Sequence, residues 1–341
     1  MIGYYAHHQG AGHLTRMQSI AAAMDESVWG LSSSPAPAGW DSGWTQLARD
    51  DDPDAHRLAR DCDPTANGAL HWVPRGHHGL AQRSAQITAW AAHERPRALV
   101  VDVSVEVALL ARLCGVPTVV VAMPGQRHDR AHRLAYDTAD ALLAPWPQGA
   151  HDHDWPREWT DKACFVGGIS RFDHLAAAST AAPPARDGGG TVLVLWGAGG
   201  RTTTEAELDA ARAATPSWTW VERAPGVPST TQLWDDLQRA DVVVTHAGQN
   251  AVAEVAAARR PAVVVAQPRP FDEQVATARQ IDDWGIAVGR DVWPSGEQWP
   301  ATLELALLRG GDGWKRWSTG HAAEDAAAHL LSVGLAAGDR S

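Results

Sequence analysis

Cysteine is scarce in this chain. Cys62, Cys114 and Cys164 are an odd set with no CxxC spacing. That argues against a disulfide framework or a thiolate metal centre and predicts reduced thiols, with Cys114 in the core. Basic residues are in deficit too, 29 Lys and Arg against 40 Asp and Glu, for a net charge of −11. No long basic run offsets the deficit, so nucleic-acid duplexes and anionic membrane surfaces are poor partners. No apolar run reaches the roughly 18 residues of a membrane helix. The opening MIGYYAHHQG lacks the basic start and apolar run of a signal peptide, so a cytoplasmic location is expected. Phe and Tyr number three each against 17 Trp, a skew without a physical account. A few of these Trp are expected to line a cleft and most to be core or surface.

What is present is globular: 45% apolar and 20% charged residues over 341 positions, a length suited to two domains. Short β-rich runs alternate with Ala-rich helical stretches. Strands are expected at 2–6, 98–102 and 117–122, with helices at 15–24 and 105–114. The small, Pro/Gly-rich stretch 176–190 reads as a linker. The alternation restarts after it, with strands near 191–196, 218–221, 241–245 and 261–266. The expected fold class is therefore α/β, two doubly wound Rossmann-like domains facing across a cleft. The boundaries are 1–175, linker 176–190, 191–320, and a last helix and tail over 321–341 that can pack on either domain. Ligands in such sheets bind beyond the carboxyl ends of the strands, which places the site in the cleft.

The segment HAGQNAVAE, His246 to Glu254, carries the strongest signal. A strand ends at His246 and a helix begins near Asn250. A helix start offers unpaired amides and partial positive charge, a ready anion site. Gly248 permits close approach, so the amides of Gln249 to Ala251 can cradle a diphosphate, with His246 donating to the same oxygens. Glu254 lies on the same helix face as Asn250, where a carboxylate can accept from ribose hydroxyls. The next strand delivers Phe271, Asp272, Glu273 and Gln274 to the same edge. A carboxylate beside a carboxamide suits sugar hydroxyls, which both donate and accept.

HxGxNxxxE, a Pro-led strand and then EQ followed by TA resemble the donor-site signature of GT-B glycosyltransferases in families 1 and 28. The resemblance is most specific over 241–278. It implies His246 and the turn Gly248 to Ala251 on a diphosphate, Glu254 on the ribose, and Glu273 and Gln274 on the donor sugar. Eighteen residues before the His, where the plant pattern has a base-stacking Trp, this chain has Pro228. UDP is expected only as the commonest donor nucleotide.

In the first loop, HHQGAGHLTR, Gly10 and Gly12 make a tight turn and His13 sits where a helix begins. A hydroxyl attacking an anomeric carbon loses its proton as the bond forms, and imidazole is suited to take it. The GxGH form is similar to the N-terminal loop of the same families. Asp102 ends a buried strand at the same edge, and the resemblance makes it the partner that orients His13. His7 and His8 are reserve candidates, structural or acceptor-lining. The turn WGAGGR, with Gly197 and Gly199, is either a plain strand-helix turn or a second diphosphate contact. DDPD at 51–54 and HDHDW at 151–155 read as solvated loops rather than metal sites, so no metal or other cofactor is expected.

The sequence thus points to an inverting, metal-independent glycosyltransferase using a nucleotide diphosphate-sugar and a small-molecule hydroxyl acceptor. Three alternatives are weighed against it. A dinucleotide oxidoreductase lacks the third Gly of G-x-G-x-x-G at both Gly-rich loops. A nucleotide-sugar 2-epimerase of the same fold needs further cleft carboxylates. A catalytically silent sugar-nucleotide binder leaves His13 and Asp102 without a purpose.

Overall fold

The computed structural model describes residues 1–176, 189–197, 200–223 and 230–338. Its central strands are the continuous apolar runs, buried on both faces as parallel sheets covered by helices require, while the edge strands at 44–46, 163–165 and 219–223 are partly exposed. β1 (Ile2–Ala6), β2 (Val28–Ser32), β3 (Trp44–Gln46), β4 (Leu99–Asp102), β5 (Thr118–Val121), β6 (Ala141–Ala144) and β7 (Ala163–Phe165) form one sheet in the order β3-β2-β1-β4-β5-β6-β7. β8 (Thr191–Leu195), β9 (Thr219–Arg223), β10 (Val242–His246), β11 (Ala262–Val265) and β12 (Val288–Arg290) form the second, ordered β12-β11-β10-β8-β9. Every neighbouring pair is parallel. Both sheets reverse strand order beside their first strand, which opens a crevice at the carboxyl ends there.

Register decides what meets in that crevice. Ala6 lies opposite Asp102, so the loop leaving β1 starts beside that carboxylate. In the second sheet His246 lies opposite Val265, and Thr245 opposite Leu195. The loops after β8, β10 and β11 therefore leave from one level.

The helix Ala322–Gly338 returns to the first sheet: Ala322, Ala326, Ala327 and Leu330 share a core with Ile2, Tyr4, Met17 and Ile20. Cys114 is not in the core. The helix Val105–Leu113 ends just before it, and Cys114 turns outward at the cap, exposed. His151 is the reverse case. Read as part of a solvated loop, it is buried among Trp146 and Trp317, and burial lowers its pKa to about 3. Trp146, Trp159, Trp299 and Trp314 are fully buried. Residues 177–188 of the expected linker and Gly199 lie outside the described residues. Among the described residues no helix is long and apolar enough to cross a membrane.

Candidate active site

Gly10, at φ +100°, takes the chain from β1 into the helix Ala11–Ala22, a conformation that favours glycine. His13 falls in the first turn, and its Nδ1 lies 2.8 Å from Asp102 Oδ1. Arg16 Nη1 donates to the same oxygen at 3.2 Å, and the Tyr4 hydroxyl donates to Oδ2 at 3.0 Å. Asp102 is completely buried. Burial alone would raise its carboxyl, but the Arg16 and His13 charges and the His13 and Tyr4 hydrogen bonds hold it below the usual carboxylate range. An ionised carboxylate only accepts, so His13 Nδ1 carries a proton towards it, and in the neutral form of the ring the lone pair is on Nε2. The next residue, Val103, has φ +63°. A β-branched residue there is strained, and such strain collects at functional sites.

On the opposite side β10 delivers His246. The Gly248 N–H donates to His246 Nδ1 at 3.0 Å, while burial and the nearby Arg269 charge lower the imidazole to about 4. The ring is neutral with its proton on Nε2. Two glycines clamp it: a Cβ on Gly197 would come within 2.3 Å of Nε2, and one on Gly248 within 2.5 Å of Cε1. Gly248 also caps the helix Gln249–Ala258 without a side-chain hydrogen bond, leaving the first-turn amides at Gln249, Asn250 and Ala251 uncapped.

The two helix starts touch. Arg16 Nη2 donates to Gln249 Oε1 at 2.8 Å, and Asn250 Nδ2 donates to the Gly12 carbonyl at 3.2 Å. Gln249 Nε2 is buried with no protein partner among the described residues. His13, Asp102, His246, Gly248, Gln249, Asn250, Ala251 and Gly197 thus sit around the mouth of one crevice.

Glu254, Glu273 and Gln274 are nearby but already engaged. Glu254 pairs with Arg171 at 2.8 Å; burial raises its carboxyl and Arg171 opposes the rise. Glu273 Oε2 accepts from Arg127 Nη2 at 2.9 Å, and Gln274 Oε1 from the Gln267 N–H at 3.1 Å. Arg127 and Arg171 had no motif to mark them. Arg127 is buried on the first domain, lies over the Phe271 ring at 4.3 Å, and its neighbour Gln126 donates to the Phe271 carbonyl at 2.8 Å. Phe271 and Asp272 are both left-handed, at φ 62° and 53°. The loop carrying Glu273 is therefore held from the other domain.

The acidic run at 51–54 is not simply solvated. Asp51 accepts from Gln9 at 3.1 Å and lies 2.9 Å from His8, and Asp52 caps the helix Pro53–Asp61. Asp50 and Asp51 line a cavity of about 530 Å³ in the first domain, with His7, His8, Trp72, Val103 and several aliphatic side chains. Among the described residues two clusters have metal-ligand composition, His8–Asp50–Asp51 and His71–Asp129–His132. In the second, Asp129 already accepts from the Ala131 and His132 amides and from His132 Nδ1, an N-cap arrangement.

Residues 164–291 match the glycosyltransferase family 28 C-terminal domain. No curated protein matches the sequence. Solved structures match throughout the chain. The glycosyltransferase SnogD from Streptomyces nogalater has a TM-score of 0.64 at 15% identity, over 98% of this chain and 99% of that one. MurG of Acinetobacter baumannii gives 0.57 at 16%, over 98% or more of both chains (99% and 99%). The spinosyn rhamnosyltransferase SpnG, complexed with thymidine diphosphate, gives 0.57 at 17% over 100% of both. The two-sheet architecture is thus the GT-B fold. Residues 164–291 thus form a glycosyltransferase family 28 C-terminal domain set within this fold.

Proposed function

We propose that the protein moves a hexose, with inversion, from a nucleotide diphosphate-sugar to a hydroxyl of a small molecule. The observation that carries it is the His13–Asp102 pair abutting the uncapped helix start at Gly248. The acceptor oxygen attacks the anomeric carbon while His13 Nε2 takes its proton, and Asp102 stabilises the imidazolium that forms. The bond from that carbon to the diphosphate breaks, and its electron pair leaves on phosphate oxygen. The amides at Gln249 to Ala251, the His246 Nε2–H and the turn at Gly197 receive that charge. One displacement inverts the anomeric centre. Glu254 takes the ribose hydroxyls, sharing its charge with Arg171, and Glu273 and Gln274 take the sugar. UDP is the expected nucleotide, and SpnG, complexed with thymidine diphosphate, makes TDP the first competitor to test.

The test is a matrix of UDP- and TDP-sugars against small hydroxyl acceptors, read by mass spectrometry for a hexose-sized gain. His246→Ala and Glu254→Ala should each abolish donor binding by calorimetry, and unchanged binding in both sinks the donor site. Because helix amides and His246 supply the positive potential, EDTA should leave turnover unchanged. A loss restored by Mg²⁺ or Mn²⁺ removes the metal-independent mechanism.

A further inference from the structure

The cavity beside His13 holds a residue that the transfer chemistry leaves unused. His7 follows β1 directly and lines that cavity. Its ring stacks on His8, with centroids 4.8 Å apart and planes at 14°, and stands edge-on to His13 at 6.0 Å. The Gln9 backbone N–H donates to His7 Nδ1 at 3.1 Å, so that nitrogen carries no proton. Burial, reinforced by His13 and His8, lowers the imidazole to about 3. The ring is neutral and its one proton is on Nε2, which makes no hydrogen bond to protein among the described residues.

His13 is the complement. Its Nδ1 proton is spent on Asp102, leaving a lone pair on Nε2. His13 is not itself in the cavity wall, but its ring stands 6.0 Å from that of His7, so a proton acceptor lies one ring away from a fixed donor. Hydrogen bonds of about 2.8 Å from rings so placed reach two oxygens a few ångströms apart, the spacing of O–C–C–O or O–C–C–C–O. Much of the remaining wall is apolar, including Leu70, Val73, Ile87 and Leu110.

We propose that His7 Nε2–H binds a second oxygen of the acceptor, one or two carbons from the hydroxyl that His13 deprotonates. His7 is then a specificity-determining residue, and the acceptor is an apolar molecule bearing vicinal or 1,3-related oxygens. This rests on the acceptor side of the proposed transfer reaction.

Calorimetry with 7-hydroxycoumarin and 7,8-dihydroxycoumarin tests it on the wild type, His7→Phe and His7→Gln. The wild type should bind the diol about tenfold more tightly, the worth of one hydrogen bond. His7→Phe should bind the two equally, and His7→Gln, which keeps an N–H donor, should recover most of the preference. A general loss of packing would weaken both ligands alike and leave the ratio unchanged. Equal wild-type affinities, binding of neither coumarin, or a preference that survives in His7→Phe overturns the proposal. A preference that behaves as expected, with no sugar transferred from any donor, upholds His7 and counts instead against the transfer reaction.

Discussion

Replacing Asp102 with Asn separates an orienting carboxylate from a merely structural one. The carboxylate is fully buried and accepts from His13, Arg16 and Tyr4. An Asn keeps the shape but offers one oxygen for those three donors. Its NH₂ can face His13 only if Nδ1 gives up its proton, which moves the proton to Nε2 and removes the base. We expect kcat to fall by about 10²–10⁴. The variant also strands the Arg16 guanidinium, 4% exposed, beside a neutral group. Breaking a buried pair in this way costs about 3 kcal/mol, at the low end because the amide oxygen still accepts. That corresponds to roughly 6–12 °C in Tm for a domain of this size. Asp102 ionises below its ordinary range, so the stabilisation it supplies is complete above about pH 4 and fades only as pH falls further. The Tm deficit should therefore be constant from pH 5.5 to 9. His13→Ala should reach the same low kcat and also lower Tm, because it takes one hydrogen-bond donor from the fully buried Asp102 carboxylate. The double variant should be no slower than His13→Ala alone, since the two residues act as a unit. Steady-state kinetics well below each Tm would read this cycle. Multiplying losses in the double variant, or Asp102→Asn turning over within threefold of the wild type, would refute the reasoning.

The remaining predictions address the donor side. Gly197→Ala and Gly248→Ala each drive a Cβ into the His246 ring and should cost donor affinity as much as His246→Ala, whereas Gly12→Ala, with 3.5 Å to Asn250, should be tolerated; calorimetric donor titration ranks them, and a harmless Gly248→Ala would remove the clamp. His246 has its pKa lowered to about 4, so it stays neutral above pH 5.5 and its contribution to diphosphate binding should be flat from pH 6 to 9. A wild-type affinity that falls severalfold over that range, with His246→Ala flat, would show a charged ring instead. Arg127→Gln should release Glu273 and raise the donor KM about tenfold while kcat falls less, because the loop from Phe271 loses its hold on the first domain. An unchanged KM would make the ion pair incidental.

The parts of the site that sequence displayed are those fixed by a strand end. β1 spans the residues expected, and the ends of β4 and β10 put Asp102 and His246 where a short apolar run must stop and meet solvent. The doubly wound layout followed from the same runs. Cys114 and His151 went the other way because their burial depends on which side a chain turns after an element ends, and nothing in local composition states that. The acidic run at 51–54 misled for a related reason. It is polar as a string, yet β3 lies beside β2 and brings Asp51 back against His8 and Gln9.

Residues without a sequence signal share one property: they act between elements distant in the chain. Arg16 bridges Asp102 and Gln249, Arg171 pairs with Glu254, and Arg127 reaches Glu273. Each puts a guanidinium against a carboxylate or carboxamide that the donor signature marks. A bare signature would leave Glu254 and Glu273 as buried or half-buried anions facing a diphosphate, an unfavourable arrangement at low local dielectric. The arginines resolve it, and all three lie before residue 176 while reaching residues of the second domain. On the proposed donor site, donor recognition and domain apposition are therefore one electrostatic arrangement. A substitution on the first domain far from any donor motif, Arg127 above all, should accordingly be felt in donor affinity before it is felt in proton transfer.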